Sequence, residues 1–192
     1  MKNLILLLLI IFFQTSHISA DSSNKVKRII IGNKDAKISI IAYESLTCSH
    51  CANFHIDVLP NLKKEYIDTG IAKIEFRHFP LDGAAFNASK IAQCKNDGNS
   101  DILNSLYLNQ SKWIKGKTID EINENLKRFL VSEGIKVDFD KCTTDKNIED
   151  FVLNDRIEGV KKFKVNATPT IIINDKKFEK SLNYKNLKKS LE

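Results

Sequence analysis

The chain has 192 residues, a formal net charge of +6 and an isoelectric point near 9.0. Its 30 Lys and Arg are scattered among 24 Asp and Glu without a long block of one sign, which argues against a nucleic-acid-binding arm and reads as solvated surface. A hydrophobic share of 42 % excludes a disordered chain and suits one compact domain with room for an insertion.

From the N-terminus, Lys2 precedes an unbroken apolar run, Leu4 to Phe13, and Ile18-Ser19-Ala20 ends on a small residue. This pattern predicts a secretory leader over residues 1–20, with an uncleaved membrane tether as the alternative. A chain processed in this way enters an oxidising space, where disulfides persist. The sequons at Asn87, Asn109 and Asn166 are without meaning in a bacterial periplasm, and the third would put a glycan beside the loop described below.

Residues 21–36 read as an N-terminal arm with a short strand, Val26 to Ile31, ended by Gly32. Lys37 to Tyr43 is an isoleucine-rich buried strand. It runs into T-C-S-H-C, after which Phe54, Val58 and Leu62 share a helical face. That helix is expected to reach Asp68 with a kink at Pro60 and a stop at Gly70. Ile71 to Phe79 alternates as a second strand. Helical patterns follow, with Ala85, Ala88, Ile91 and Ala92 on one face and Ile102, Leu103, Leu106 and Tyr107 on another. A capping box at Thr118 to Glu121 opens a helix closed by Gly134, and a further helix covers Ile148 to Phe163. Thr168 to Ile173 is a buried strand, N-D-K-K turns the chain, and Tyr184 to Leu191 is a last helix. Strands and helices in this order give an α/β domain interrupted by helices. Its parts are a first half at 37–82, a helical insertion at 83–155 and a second half at 156–192.

The chemistry is concentrated in Cys48-Ser49-His50-Cys51. Covalent haem needs a histidine directly after the second cysteine, and position 52 is Ala. A zinc site would have to recruit His55 and Cys94, without a second C-x-x-C or paired histidines. A purely structural bridge across so short a loop would stabilise little. A redox centre fits best, because C-x-x-C at a strand-to-helix junction sits where unpaired N–H groups and the helix dipole favour a thiolate. Cys48 is then the nucleophile and Cys51, one turn inward, the resolving thiol. His55 reads as a helix-surface histidine, His78 as a satisfied core or edge histidine, and Trp113 as packing.

Five stretches extend the pattern: I-G-N-K-D-A-K-I-S-I from Ile31, S-L-T-C-S-H-C from Ser45, F-R-H-F-P-L from Phe76, N-Q-S-K-W from Asn109 and A-T-P-T from Ala167. With these the chain resembles the DsbA-type disulfide oxidoreductases from about Ile31 to the C-terminus. The resemblance implies a thioredoxin-like fold with a helical insertion and no bound cofactor. It also implies catalysis by Cys48 and Cys51, with Ser49 and His50 in support. The loop at Thr168 and Pro169 would carry a cis bond and face the cysteines. Reduced or unfolded exported proteins would be the clients, a membrane protein the reoxidase, and the protein itself a monomer in the periplasm.

Two departures matter. The buried acid expected six residues before Cys48 is Ala42, and Glu44, on the same strand parity, is the candidate replacement. The residue before Pro169 is Thr, which the family's isomerases tend to carry, whereas its strong oxidant carries Val. An isomerase or reductase, or a peptide-binding chaperone module outside redox chemistry, therefore remains an alternative. The two remaining cysteines, Cys94 and Cys142, are expected to form a second bridge in the insertion, the alternative being two buried free thiols.

Overall fold

The structure is a computed structural model that describes residues 25–192. The expected leader lies outside the described residues. Strands β1 (Ile29–Gly32), β2 (Ile38–Glu44), β3 (Ala72–His78), β4 (Thr170–Ile173) and β5 (Lys176–Lys177) form one sheet in the order β1-β3-β2-β4-β5. The central pair β2–β3 is parallel, so the chain must cross over between them, and it does so through α1 (residues 49–67). The other pairs are antiparallel. Helices α2 (Gly83–Gln93), α3 (Asp101–Leu108), α4 (Gln110–Trp113), α5 (Ile119–Ser132), α6 (Phe139–Thr144) and α7 (Lys146–Phe163) lie between β3 and β4, and α8 (Tyr184–Leu191) ends the chain.

The continuous apolar run of β2 is explained by burial on both faces. Ile40 and Ala42 pack in the main core with Phe54, Leu62, Ile74 and Phe76, while Tyr43 joins Phe79, Phe163, Val165 and Ile172 on the other side. Helix α1 contains π turns at Phe54–Val58 and Lys63–Ile67 on either side of an α turn, Leu59–Leu62. Pro60 stands just after the first π turn and has no N–H to give to the preceding turn, so the expected irregularity falls there as widened turns. Strand β4 starts at Thr170, later than the predicted Thr168, since Pro169 contributes no ladder donor. Asn174 and Asp175, both at positive φ, make the β4–β5 turn.

Local signals set the insertion's helices. Asp82 caps α2 by accepting from the Ala85 N–H at 2.7 Å, and Thr118 caps α5 by accepting from Glu121 at 3.2 Å. The return bond of the expected capping box is displaced by one residue, because the Glu121 carboxylate accepts from the Lys117 N–H instead. Cys94, at the end of α2, is bridged to Cys142 in α6. Helix α7 runs unbroken through residues 155 and 156, where the insertion was expected to end, and fully buried Asp155 ties it to the sheet by accepting from the His78 N–H at 3.1 Å.

Helix α7 can approach β2 because Gly159 lies over the Tyr43 ring. A Cβ there would stand 2.8 Å from Tyr43 Cε1, closer than carbon atoms pack. Gly159→Ala is therefore expected to lower the denaturation midpoint. Overpacking costs about 1–3 kcal/mol, against about 1 kcal/mol regained in helix propensity. An unchanged or raised midpoint would show that the ring moves aside freely.

Candidate active site

The β2–β4 register decides where the site forms. Tyr43 pairs with Thr170 in antiparallel sense, so the chain leaving β2 meets the chain entering β4. Cys48 follows β2 as the N-cap of α1, and the cis Thr168-Pro169 bond precedes β4. The Cys48 Sγ–H donates to the Thr168 carbonyl at 3.4 Å. The two motifs, distant in sequence, thus share one surface.

Side chains from other elements hold the 45–48 loop. Thr47 Oγ1 donates to Asp82 Oδ2 at 2.6 Å, and Ser45 Oγ accepts from the Leu81 N–H at 3.3 Å. From the insertion, Gln110 Nε2 donates to the carbonyls of Leu46 at 2.8 Å and Cys48 at 3.1 Å. Gln110 stood within the quoted N-Q-S-K-W stretch without a role, and only the fold reveals this clamp.

Cys48 and Cys51 are free thiols, the first partly exposed and the second buried. The Cys48 thiol is lowered to about 5, first by the hydrogen bond it receives from the Cys51 side chain, then by Thr168 and the N–H groups of Cys51 and His50, against the opposing effect of burial. Thr168 Oγ1 is buried and unpartnered among the described residues, which leaves its hydroxyl for an ionised Cys48 sulfur. Burial pushes the Cys51 thiol far up, helped by the Cys48 contact and the charge of Glu44. One sulfur is thus a partly exposed thiolate near neutral pH and the other a buried thiol. Ser49 and the His50 ring are exposed beside them. A groove of about 600 Å³ runs from His50 and Asn53 past Thr168 and Pro169 to Tyr184.

The histidine expected on the surface of α1 is instead inside. His55 is 3 % exposed, with Nε2 2.9 Å from Glu44 Oε2. The stripe Phe54, Val58 and Leu62 marks only the face toward the sheet, and α3 covers a second face of α1, placing Tyr107 on the His55 ring with centroids 4.1 Å apart. His78 is a satisfied core histidine: Gln93 Nε2 lies 3.0 Å from its Nε2, and burial holds it down to about 3. Trp113 is fully buried and donates to the Leu106 carbonyl at 2.9 Å. The four residues of the zinc alternative are not gathered, since Cys94 is bonded to Cys142 and His55 to Glu44.

A thioredoxin-like sheet with a C-x-x-C at the start of α1, a Thr-Pro loop against it and helices inserted between β3 and β4 defines the DsbA-type thiol–disulfide oxidoreductase fold. A family model described as Thioredoxin matches residues 24–192, and the chain belongs to that family. The crystal structure of Wolbachia pipientis alpha-DsbA1 superposes with a TM-score of 0.75 at 30 % identity, covering 85 % of this chain and 88 % of that one. A putative protein-disulfide oxidoreductase of Rickettsia bellii is 31 % identical over 150 residues, 76 % of this chain and 56 % of the relative. Disulfide bond formation protein D of Bacillus subtilis is 25 % identical over 173 residues, 85 % of this chain and 75 % of its own length. The chain spans about half the length of the Rickettsia relatives that it matches.

Proposed function

We propose that the protein is a thiol–disulfide oxidoreductase acting mainly as an oxidase, which passes the Cys48–Cys51 disulfide to reduced, exported proteins. The observation that carries this reading is the Cys48 thiol held at about 5 beside a buried Cys51. A thiolate so stabilised favours the reduced form and makes the disulfide a strong oxidant. The groove beside Thr168 and Pro169 suits an extended client segment. An exported, periplasmic location is supported by the apolar run Leu4 to Phe13 and by the Cys94–Cys142 bridge, which belongs in an oxidising space. The reading also requires a membrane reoxidase and a protein that works as a monomer. An isomerase or reductase role is favoured by one observation, the Thr168 hydroxyl beside Cys48, which tunes the same sulfur.

The reduction potential of the Cys48–Cys51 pair, measured against glutathione across pH, tests the proposal. It is expected above thioredoxin's value of about −270 mV, toward DsbA's of about −120 mV. Below pH about 5 the reduced pair takes up two protons for two electrons, and above it only one. The potential should therefore fall by about 59 mV per pH unit below that point and by about 30 mV above it. A potential at or below thioredoxin's would replace the oxidase with a reductant, and efficient rescue of scrambled disulfides would favour the isomerase.

A further inference from the structure

Charge is mixed along the chain but uneven by region. Residues 161–192 hold nine Lys against Asp175, Glu179 and Glu192, which accounts for the whole net charge of +6. The lysines of the short edge strand β5 guard it against pairing with another chain. Lys161 and Lys164 need a different account, because they stand in and just after a helix. Both are exposed, and neither forms an ion pair among the described residues, whereas Lys162 between them is 3.0 Å from Asp175.

These lysines continue an apolar stripe. Leu153, Ile157, Val160 and Lys164 recur at helical spacing and so share one side of α7. Leu153 is 39 % exposed, and Ile157 and Val160 are 47 % exposed each. Val152, Asp155, Gly159 and Phe163 form the buried side against the sheet. Helix α7 is thus apolar on two sides, of which one is covered. Leu81, itself 52 % exposed, extends the outer side through a groove of about 270 Å³ that it shares with Phe86, Leu153 and Arg156. The acids of the basic end are already engaged: Glu158 is 2.6 Å from Arg77, and Asp155 is buried against Arg28. Exposed Asp150 lies beyond the other, apolar end of the stripe.

We propose that the outer face of α7 docks on an anionic phospholipid bilayer, with Leu153, Ile157 and Val160 at the acyl boundary and Lys161 and Lys164 among the phosphates. An aliphatic stripe rimmed by lysine is what an interfacial helix presents to anionic lipid. The positive surplus of the last part of the chain adds attraction at longer range. Composition speaks against a protein partner, whose interfaces favour aromatic and Arg anchors seated in pockets and are poor in Lys. Here the exposed anchors are aliphatic, and the one Arg of the face, Arg156, lies over the Phe79 ring at 5.3 Å. Docking by this face leaves the client groove clear. That groove is lined from α1 and the start of α8, and α1 packs on the Ile40 and Ala42 side of the sheet, whereas α7 packs on the Tyr43 and Ile172 side. Lipid binding needs no disulfide exchange, so the proposal stands apart from the redox reading. Where both hold, the docked protein keeps Cys48 beside the bilayer that houses its reoxidase.

The test is lysine footprinting of the full chain, with acetylation at each Lys read by mass spectrometry. The protein is mixed with phosphatidylglycerol vesicles, phosphatidylcholine vesicles or polyglutamate. Phosphatidylglycerol should slow acetylation of Lys161 and Lys164 on the order of 10-fold, and salt should restore it. Lys63, on α1 across the sheet, should not change. Reading each lysine separately distinguishes this face from the apolar run Leu4 to Phe13, which would enter vesicles of either lipid. Leu153→Ser with Ile157→Ser keeps both lysines and alters only exposed positions. It should raise the lipid concentration for half protection on the order of 10-fold. No protection, equal protection by both lipids, or protection unchanged in the double variant overturns the proposal. Protection by polyglutamate and not by vesicles also overturns it, and assigns the face to an acidic protein instead.

Discussion

Cys51→Ala is expected to accumulate reductant-sensitive adducts with client proteins, and Cys48→Ala none. Cys48 is partly exposed and in contact with Thr168, which lines the groove, whereas Cys51 is fully buried one turn on. Attack at the pair must therefore come at Cys48. Once a client is joined there, Cys51 is the group that reverses or clears the link, and its removal leaves a long-lived mixed disulfide. The sign of the pH dependence follows from the Cys48 thiol at about 5, well under its ordinary value of 9.0. The thiolate persists from neutral pH down to about 5, and adduct formation through Cys48 should decline only as pH falls through that value. In the reduced protein the same depression contributes folding stability that is present above the unfolded thiol's range and is lost as pH falls through about 5. The oxidised protein, with no Cys48 thiol, should lack that component. Adducts are read on non-reducing gels, and the thiolate by its ultraviolet absorbance. Trapping through Cys51 in the Cys48→Ala protein would reverse the roles assigned to the two sulfurs.

The parts of this site that were legible beforehand are those encoded by short spacing. C-x-x-C at the end of an isoleucine-rich strand needs only local periodicity to be placed at a helix start, and Thr118 with Glu121 needs only the spacing of a cap. Thr168 and Pro169 could be joined to Cys48 only through the family resemblance, since nothing local to either motif sets the Tyr43–Thr170 register. Gln110 was invisible as a clamp because its partners, Leu46 and Cys48, are carbonyls on a distant loop. His55 was misread for a related reason. The stripe on α1 reports only the face toward the sheet, and the second covering by α3 belongs to tertiary packing. Similarly, the helix expected over Ile148 to Phe163 was legible, but not that its Asp155 would be a buried carboxylate answered by Arg28 and the His78 backbone.

Replacing both Cys94 and Cys142 with Ala should cost the fold up to about 4 kcal/mol while leaving the redox chemistry in place. The bridge spans a sequence separation of 48 and so restricts a long loop of the unfolded chain, for which chain entropy gives about that figure. The native state keeps other ties between the same helices. The buried Lys90 ammonium donates to the Thr143 carbonyl, lies 3.6 Å from the Glu149 carboxylate and sits over the Phe86 ring, so α2 stays pinned to α6 and α7 without the bridge. The variant should accordingly unfold cooperatively at lower denaturant rather than lose the insertion. Its active site should be unmoved, because α2 touches the site at the opposite end, where Asp82 holds Thr47. At 1.5 Å per residue, Asp82 and Cys94 lie about 18 Å apart along that helix. The expected result is a lower unfolding midpoint with the Cys48 titration still centred near 5. A shift of that titration comparable to the loss of stability would mean that the bridge and the redox centre are mechanically coupled through α2, contrary to the separation seen here.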